Sequence, residues 1–206
     1  MDENELSLEM EDKILKSATS VFIRKGKAGA SMQEIADEAG INRTSLNYYF
    51  RSKDKLFEKI FMSVFLKFIP SLIEKLYSEK PILIRIEDVI DYYFLILIEN
   101  PHIPVFILQE LSSNPERMVR SIREKGLNPS FFLSILNLEM ERGNLRKMDP
   151  RILMVNLLSL IIFPFAASPL IEGLIFDGNK EYFMNFLKER KEDLKVNFIN
   201  SIKPIS

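Results

Sequence analysis

The sequence predicts an all-α fold. Only seven of its 206 residues are glycine, and no stretch shows the sustained alternation of apolar and polar side chains that is typical of a half-buried strand. Long stretches rich in leucine, isoleucine, glutamate and lysine favour helices instead. At this length the chain can bury a substantial core, either as one domain or as a small domain attached to a larger one.

Composition excludes several classes of protein. Apolar residues make up 47% of the chain and charged residues 28%, which is ordinary for a folded protein and argues against bulk disorder. The chain has no cysteine, which excludes disulfides and thiol chemistry, and one histidine, which leaves no metal site of the usual His/Cys type. We therefore expect no metal, no cofactor and no catalytic activity. The acidic start, Met-Asp-Glu-Asn-Glu, is unlike a secretion signal and predicts a cytoplasmic location.

The clearest start and stop signals for helices lie between residues 31 and 50. Ser31 and Glu34 have the spacing of a capping box, which predicts the start of a helix. Gly40 lies where that helix must end, as a residue that tolerates positive φ, and Asn42 can cap a second helix that runs to about Phe50. Two helices this short, joined by a glycine-centred turn, predict a helix-turn-helix motif, whose second helix enters the DNA major groove.

The second helix of this motif has two different faces. Leu46 and Phe50 are four residues apart and should pack inward. The opposite side carries groups that can bind base edges and phosphates, at Arg43, Thr44, Asn47 and Tyr48. Ser52 should cap a third helix with Lys53 in its first turn, where the helix dipole disfavours a cation. A nearby phosphate would account for that lysine, and a solvated basic turn is the alternative. The net charge of −1 does not oppose DNA binding, because affinity depends on local cations.

These residues resemble the DNA-binding domain of the TetR family of bacterial transcriptional regulators. The alanine-glycine turn of that family corresponds to Ala39-Gly40, its Leu-Tyr-x-Tyr/His-Phe helix to residues 46–50, and its Ser-Lys-Glu/Asp-x-Leu segment to residues 52–56. Thr44 and Asn47 replace the glycine and tyrosine that the family often has at these positions. Both lie on the groove-facing side, so the departures concern the operator sequence and leave the fold intact.

The resemblance implies a helix-turn-helix DNA-binding domain at residues 1–55, followed by a helical ligand-binding and dimerisation domain at residues 56–206. It also implies that a homodimer binds double-stranded DNA at a palindromic operator. The base-reading candidates are Arg43, Thr44, Asn47 and Tyr48. The phosphate-contact candidates, taken from matching family positions, are Ser31, Tyr49, Arg51 and Lys53.

Proline and asparagine mark the helices of the second domain. Asn128-Pro129 and Asp149-Pro150 each have the form of a cap followed by proline in the first helical turn. Gly178-Asn179 ends the region that follows, and a last helix is predicted from about Lys180 to Ile202.

Residues 152–171 contain no charged side chain. By length they could cross a membrane, but Pro164 and Pro169 interrupt them and charged helices flank them, so we expect no membrane span. An apolar helix can equally be buried at a subunit interface. In TetR-like proteins the last two helices commonly pair with those of a second copy, which implies a dimer interface at Leu157, Leu160, Leu187, Leu194, Phe198 and Ile202.

The resemblance also implies a ligand pocket among the middle helices of the second domain. Its candidate residues are Phe65, Tyr92, Tyr93, Phe106, Phe132 and Phe163, with His102 as a polar contact. The alternative for each is a plain core position. An apolar pocket with few polar groups would suit a small hydrophobic or amphipathic effector.

Together these patterns predict a ligand-responsive DNA-binding transcriptional regulator that acts as a repressor. Two alternatives come from other classes. A helical carrier of small molecules or lipids would share the apolar second domain, but it would not need the outward polar face of the second short helix. A membrane-associated helical protein would insert residues 152–171 into lipid.

Overall fold

The computed structural model describes residues 3–101, 103–105, 108, 112, 115–124 and 128–204, without the side chains of residues 3, 4, 64–67, 117, 118 and 121. The described residues form helices and connecting turns and include no strand, so the all-α prediction is confirmed. In chain order the helices are α1 Glu3–Gly29, α2 Met32–Glu38, α3 Arg43–Tyr49, α4 Lys53–Leu76, α5 Ile82–Glu99, α6 Pro115–Glu124, α7 Pro129–Glu141, α8 Pro150–Ala166, α9 Ser168–Ile175 and α10 Lys180–Ile202.

The chain divides into two compact units, Met1–Lys67 and Phe68–Ser206. The dividing point lies inside α4, so this helix belongs to both units. The domain boundary predicted from the sequence, between residues 55 and 56, lies near the start of the same helix.

In the first unit, α1 packs against α2 and α2 packs against α3. The core is apolar and aromatic, and the Phe22 and Phe57 rings meet edge to face with centroids 5.3 Å apart. Its fully buried side chains come from all four helices and include Ile14, Ala18, Ile35, Ala36, Leu46 and Leu56. Burial of this apolar surface holds α2 and α3, which with seven residues each are too short to be stable alone.

The turn between α2 and α3 has the predicted geometry. Gly40 has φ +64°, a region that L side chains disfavour, and the Ile41 amide donates to the Ala36 carbonyl at 3.0 Å. Asn42 then caps α3, because its side-chain oxygen accepts from the Ser45 amide at 2.7 Å. The capping box of α2 is also present: the Glu34 amide donates to the Ser31 hydroxyl and the Ser31 amide donates to the Glu34 carboxylate.

In the second unit, side-chain caps start the helices where the sequence predicts them. Asn128 accepts from the Ser130 amide before α7, Asp149 accepts from the Arg151 amide before α8, and Asn179 accepts from the Tyr182 amide before α10. Helix α10 packs against α5 and α8, α5 also packs against α8, and α7 and α9 pack against α8. The core of this unit includes Ile86, Ile90, Phe94, Leu136, Ile161, Phe165 and Leu187.

The uncharged segment forms two helices, α8 and α9, which break at Ala167. Among the described residues, no single helix combines the length and the apolar composition needed to cross a membrane. Pro150–Ala166 and Ser168–Ile175 meet that criterion only as a pair, by length and composition, and their axes differ by 68°.

Candidate nucleic-acid interface

The recognition helix α3 has an inward apolar side and an outward polar side. Leu46 is fully buried and Phe50, which follows the helix, is 7% exposed. The predicted base-reading residues are all exposed, namely Arg43, Thr44, Asn47 and Tyr48. Tyr48 reaches 84% exposure, an unusual value for an aromatic side chain. The outward side therefore offers donors, acceptors and an aromatic ring to a partner outside the chain.

Ion pairs between α1 and α2 hold the motif in place. The Arg24 guanidinium donates to both carboxylate oxygens of Glu38, at 2.9 and 3.2 Å, and the Ser20 hydroxyl donates to the same group. Lys25 pairs with Glu34. Hydrogen bonds from Lys25 and Ser31 lower the pKa of Glu34 to about 2, and those from Arg24 and Ser20 lower the pKa of Glu38.

Two of the predicted phosphate contacts, Ser31 and Lys53, have hydrogen-bond partners within the protein. The Ser31 hydroxyl accepts from the Glu34 amide and donates to its carboxylate at 3.0 Å, so the capping box occupies it. The Lys53 ammonium donates to the carbonyl oxygens of Ala28 and Ala30, at 3.2 and 2.8 Å. Lys53 thus joins the start of α4 to the last turn of α1 and to the residue that follows this helix, a role that the local sequence pattern did not reveal. A phosphate role for either residue stays a prediction.

Arg51 is a second cation beside α3, and unlike Lys53 it has no hydrogen-bond partner among the described residues. It is exposed, and within the described part of the chain no ion pair or hydrogen bond of its side chain is found. It lines a shallow groove with half-buried Tyr49 and with Lys55 and Lys59. The two lysines are paired, Lys55 with Glu58 at 3.4 Å and Lys59 with Glu11 at 3.0 Å. Arg51 and Tyr49 are therefore placed where a backbone phosphate beside α3 could bind.

This helical arrangement has known relatives. The model of the tetR family of bacterial regulatory proteins matches residues 14–60, a range that contains α2, α3 and the start of α4. Residues 14–60 therefore match the DNA-binding domain of the TetR family, and the relatives described below support membership of that family. The chain is therefore a DNA-binding transcriptional regulator, and neither the carrier nor the membrane alternative is favoured.

Similarity to individual TetR-family regulators extends over most of the chain. Over 200 residues it is 24% identical to "Probable HTH-type transcriptional regulator YttP" of Bacillus subtilis (strain 168), with 93% of each chain covered. It is 26% identical over 117 residues, 55% of this chain and 60% of the other, to "Biofilm operon icaADBC HTH-type negative transcriptional regulator IcaR" of Staphylococcus epidermidis. The crystal structure of a TetR transcription regulator from Haloarcula marismortui has the same fold, with a TM-score of 0.65 and 18% identity. The match covers 94% of this chain and 98% of that one.

A cavity of about 170 Å³ lies in the second unit. Two of the predicted pocket residues, Tyr93 and Phe132, line it. The other lining residues are Leu72, Leu76, Tyr77, Ile86, Val89, Asn128, Pro129, Met154, Leu157 and Leu158, most of which are aliphatic. The prediction relied on aromatic residues and therefore missed most of this lining.

Two of the remaining pocket candidates, Tyr92 and Phe163, are not among the residues found to line this cavity. The Tyr92 hydroxyl donates to the Phe68 carbonyl at 3.4 Å, and its ring lies below the Lys75 ammonium at 5.2 Å. Phe163 was predicted to line the pocket, but its side chain is 62% exposed on α8 and lies on the surface of the unit. His102, Phe106 and the side chain of Phe65 lie outside the described residues.

The predicted dimer residues also require a correction. Five of them are buried inside the protomer, with at most 5% exposure: Leu157, Leu187, Leu194, Phe198 and Ile202. They pack in the core formed by α5, α8 and α10, so a second copy does not have access to them. Leu160 is 40% exposed and remains a candidate. The apolar surface of these last helices consists of other residues, among them Ile152, Val155, Phe163, Leu170 and Leu174.

Proposed function

We propose that the protein is a ligand-responsive transcriptional repressor that binds an inverted-repeat operator as a homodimer. One observation carries the DNA-binding part of the proposal: α3 is anchored by buried Leu46 and Phe50 while its polar side is exposed. A short helix held in this way is suited to the major groove, which is wide enough to admit it.

The exposed side chains of α3 have the chemistry needed to read bases. Asn47 can donate to and accept from adenine in a bidentate contact, and Arg43 can donate two hydrogen bonds to the two acceptors of guanine. Tyr48 and Thr44 offer hydroxyl groups, and Thr44 also offers a methyl group to a thymine methyl. Arg51, exposed beside the helix, supplies a phosphate contact that fixes register without reading sequence.

The apolar surface of α8 and α9 supports a homodimer. Ile152, Val155 and Phe163 are 53%, 56% and 62% exposed on α8, and they lie close to one face of it at spacings of three and eight residues. On α9, Leu170 and Leu174 are 61% and 75% exposed. Large exposed apolar side chains on neighbouring helices are typical of an interface. A twofold dimer would present two copies of α3 about 34 Å apart, one turn of DNA.

Repression and its release follow from two states of such a dimer. IcaR, a relative over about half of the chain, is named a negative regulator, which supports repression. A ligand bound in the cavity of the second unit would release DNA only if it binds the state with misplaced α3 helices more tightly. Helix α4 carries the cavity residues Leu72 and Leu76, and its first residue, Lys53, bonds the end of α1. We therefore infer that α4 links the two events.

Selection of bound fragments from a genomic DNA library tests the proposal. We expect enrichment of an inverted repeat whose half-sites are about one helical turn apart, with binding that weakens steeply as salt increases. The matched control is an Asn47→Ala variant, which should retain its helix content and lose the enrichment. Recovery of fragments with no common sequence, or of a direct repeat, would reject a specific twofold regulator.

A further inference from the structure

Helix α8 contains a proline in its interior, so one of its carbonyl groups lacks the usual hydrogen-bond donor. In an α-helix, the carbonyl of each residue accepts from the amide of the residue four positions later. Proline has no amide hydrogen, and its ring also pushes away the carbonyl of the residue four positions earlier. Pro164 lies inside α8, and the carbonyl concerned is therefore that of Leu160.

Arg190 of α10 supplies the missing donor. Its Nη2 atom donates to the Leu160 carbonyl oxygen at 2.9 Å, although the two residues are 30 positions apart in the sequence. A hydrogen bond from a charged donor is stronger than one between neutral groups. Arg190 thus replaces, from a neighbouring helix, the bond that Pro164 cannot make.

This hydrogen bond lies at the edge of the apolar surface that the proposed homodimer would bury. Leu160 and Phe163 belong to the same turn of α8 and are 40% and 62% exposed, whereas Pro164 is buried. On α10, Phe186 precedes the half-buried Arg190 by one turn and is 36% exposed. The carbonyl therefore lies between the core side and the exposed side of α8, next to side chains that a second copy would cover.

We infer that Arg190 is a positioning residue of the homodimer, because its bond to the Leu160 carbonyl allows the apolar surface of α8 to be buried against a second copy of the chain. This inference rests on the proposed function and adds the residue on which burial of the dimer surface depends. In a free protomer, water can bond this carbonyl. At an interface that excludes water, a carbonyl without a donor is unfavourable, and a twofold dimer would contain two of them.

Arginine is well suited to this position. Its guanidinium group has several N–H donors, so that one can bond the carbonyl while others remain for water or for acceptors of the second copy. It is also more weakly hydrated than an ammonium group, and arginine is enriched in protein interfaces. Arg190 can therefore be partly covered by a second copy while it bonds the Leu160 carbonyl.

Replacement of Arg190 by methionine tests the inference, since methionine keeps an unbranched apolar stem and removes the donor. The dimer dissociation constant of the full-length protein can be measured by sedimentation at nanomolar to micromolar concentrations, and the helix content by circular dichroism. We expect Arg190→Met to raise the dissociation constant about 30-fold or more, which corresponds to about 1 kcal/mol at each copy, and to leave the helix content unchanged. The control is Lys188→Met, at an exposed cation on a different side of α10, which should leave the dissociation constant unchanged.

The proline provides a second comparison. Pro164→Ala returns an amide donor to the Leu160 carbonyl, so that the bond from Arg190 is no longer needed. In the Pro164→Ala protein, Arg190→Met should therefore change the dissociation constant by less than about threefold. If Arg190 merely held α10 against α8, its replacement would have the same effect with proline or alanine at position 164.

Three results would overturn the inference: an unchanged dissociation constant in Arg190→Met, an equal effect of this substitution with proline and with alanine at position 164, or a wild type that is monomeric at every concentration. If Arg190→Met alone loses helix content, the double variant decides. Recovery of a folded dimer supports the inference, and a protein that still does not dimerise rejects it. A monomeric wild type would also reject the proposed homodimer, whereas the first two results would leave the homodimer and the DNA selection unaffected.

Discussion

Leu46 and Asn47 are adjacent in α3, but replacing them with alanine should affect different properties. The first substitution should lower stability and the second should weaken DNA binding. Leu46 is fully buried, so Leu46→Ala should lower the free energy of unfolding of the N-terminal unit by about 2–5 kcal/mol, the usual cost of a cavity in a core. Asn47 is exposed, so Asn47→Ala should change that free energy by less than about 0.5 kcal/mol. Its effect should instead appear in DNA binding, as a loss of about 1–3 kcal/mol for each half-site.

Two measurements on the same preparations separate these effects. Urea unfolding followed by circular dichroism gives the stability, and a mobility-shift titration on the selected operator gives the affinity. Because the homodimer loses this contact at both half-sites, a loss of about 1–3 kcal/mol at each gives about 2–6 kcal/mol in total, or roughly 30- to 20,000-fold weaker operator binding at fixed salt, with little change on unrelated DNA. The reasoning fails if Asn47→Ala unfolds the domain, or if it binds the operator as tightly as wild type does.

Four further predictions concern the support of the motif, its phosphate contact and the dimer. Lys53→Ala should lower unfolding stability by about 1.5–3 kcal/mol, since its ammonium bonds two main-chain carbonyl groups. Arg51→Ala should leave stability unchanged and reduce the slope of log affinity against log salt by about 0.9 for each protomer, or about 1.8 for the dimer. The reverse pattern for the two variants would make Lys53 the phosphate contact. Because the folded-state pKa of Glu34 is lowered to about 2, this carboxylate stabilises the fold above its ordinary pKa of 4.5, and the stabilisation is lost as pH falls from there toward 2. Wild type should therefore exceed Glu34→Gln in stability at pH 7 and match it near pH 2, whereas a constant difference between the two proteins would disprove the pairing. Phe163→Asp should give folded monomers by light scattering, while Leu95→Asp, at an equally exposed apolar position on α5, should leave the dimer intact.

The helix-turn-helix could be predicted from the sequence because its signals are local. Each signal depends on atoms no more than five residues apart. The signals are the Ser31 capping box, the turn at Gly40 with its positive φ, and the Asn42 cap. Side-chain oxygens and a missing Cβ determine these features whatever the rest of the chain does. The same holds for Asn128, Asp149 and Asn179 in the second unit, where each caps the helix that follows it.

Contacts between distant residues could not be predicted in this way. Lys53 lies at the N-terminus of a helix, where a cation is unfavourable, and an external phosphate seemed to account for it. The structure supplies internal acceptors instead, 23 and 25 residues earlier in the chain. No pattern within one or two helical turns can show that the chain returns to this point.

The burial of five predicted interface residues within the protomer could not be read from the sequence for a related reason. Helix α8 is apolar on nearly every side, so the period of its apolar residues does not distinguish the side facing the core from the side facing outward. Leu157 and Phe163 are six residues apart, and one is 5% exposed while the other is 62% exposed. Only the positions of the helices packed against α8, namely α5, α7, α9 and α10, determine which side is covered.

The division between anchoring and reading residues also explains why the family can be recognised while the operator cannot. Leu46 and Phe50 are constrained by the core, and Gly40 is constrained by its backbone, so a sequence that keeps the motif keeps these residues. Thr44 and Asn47 touch solvent in the free protein, so changing them costs the fold little. Operator preference can therefore change by exchange of surface side chains on an unchanged helix. For that reason 24% identity to YttP does not indicate which bases this protein reads, and the inverted repeat must be determined by selection on the protein itself.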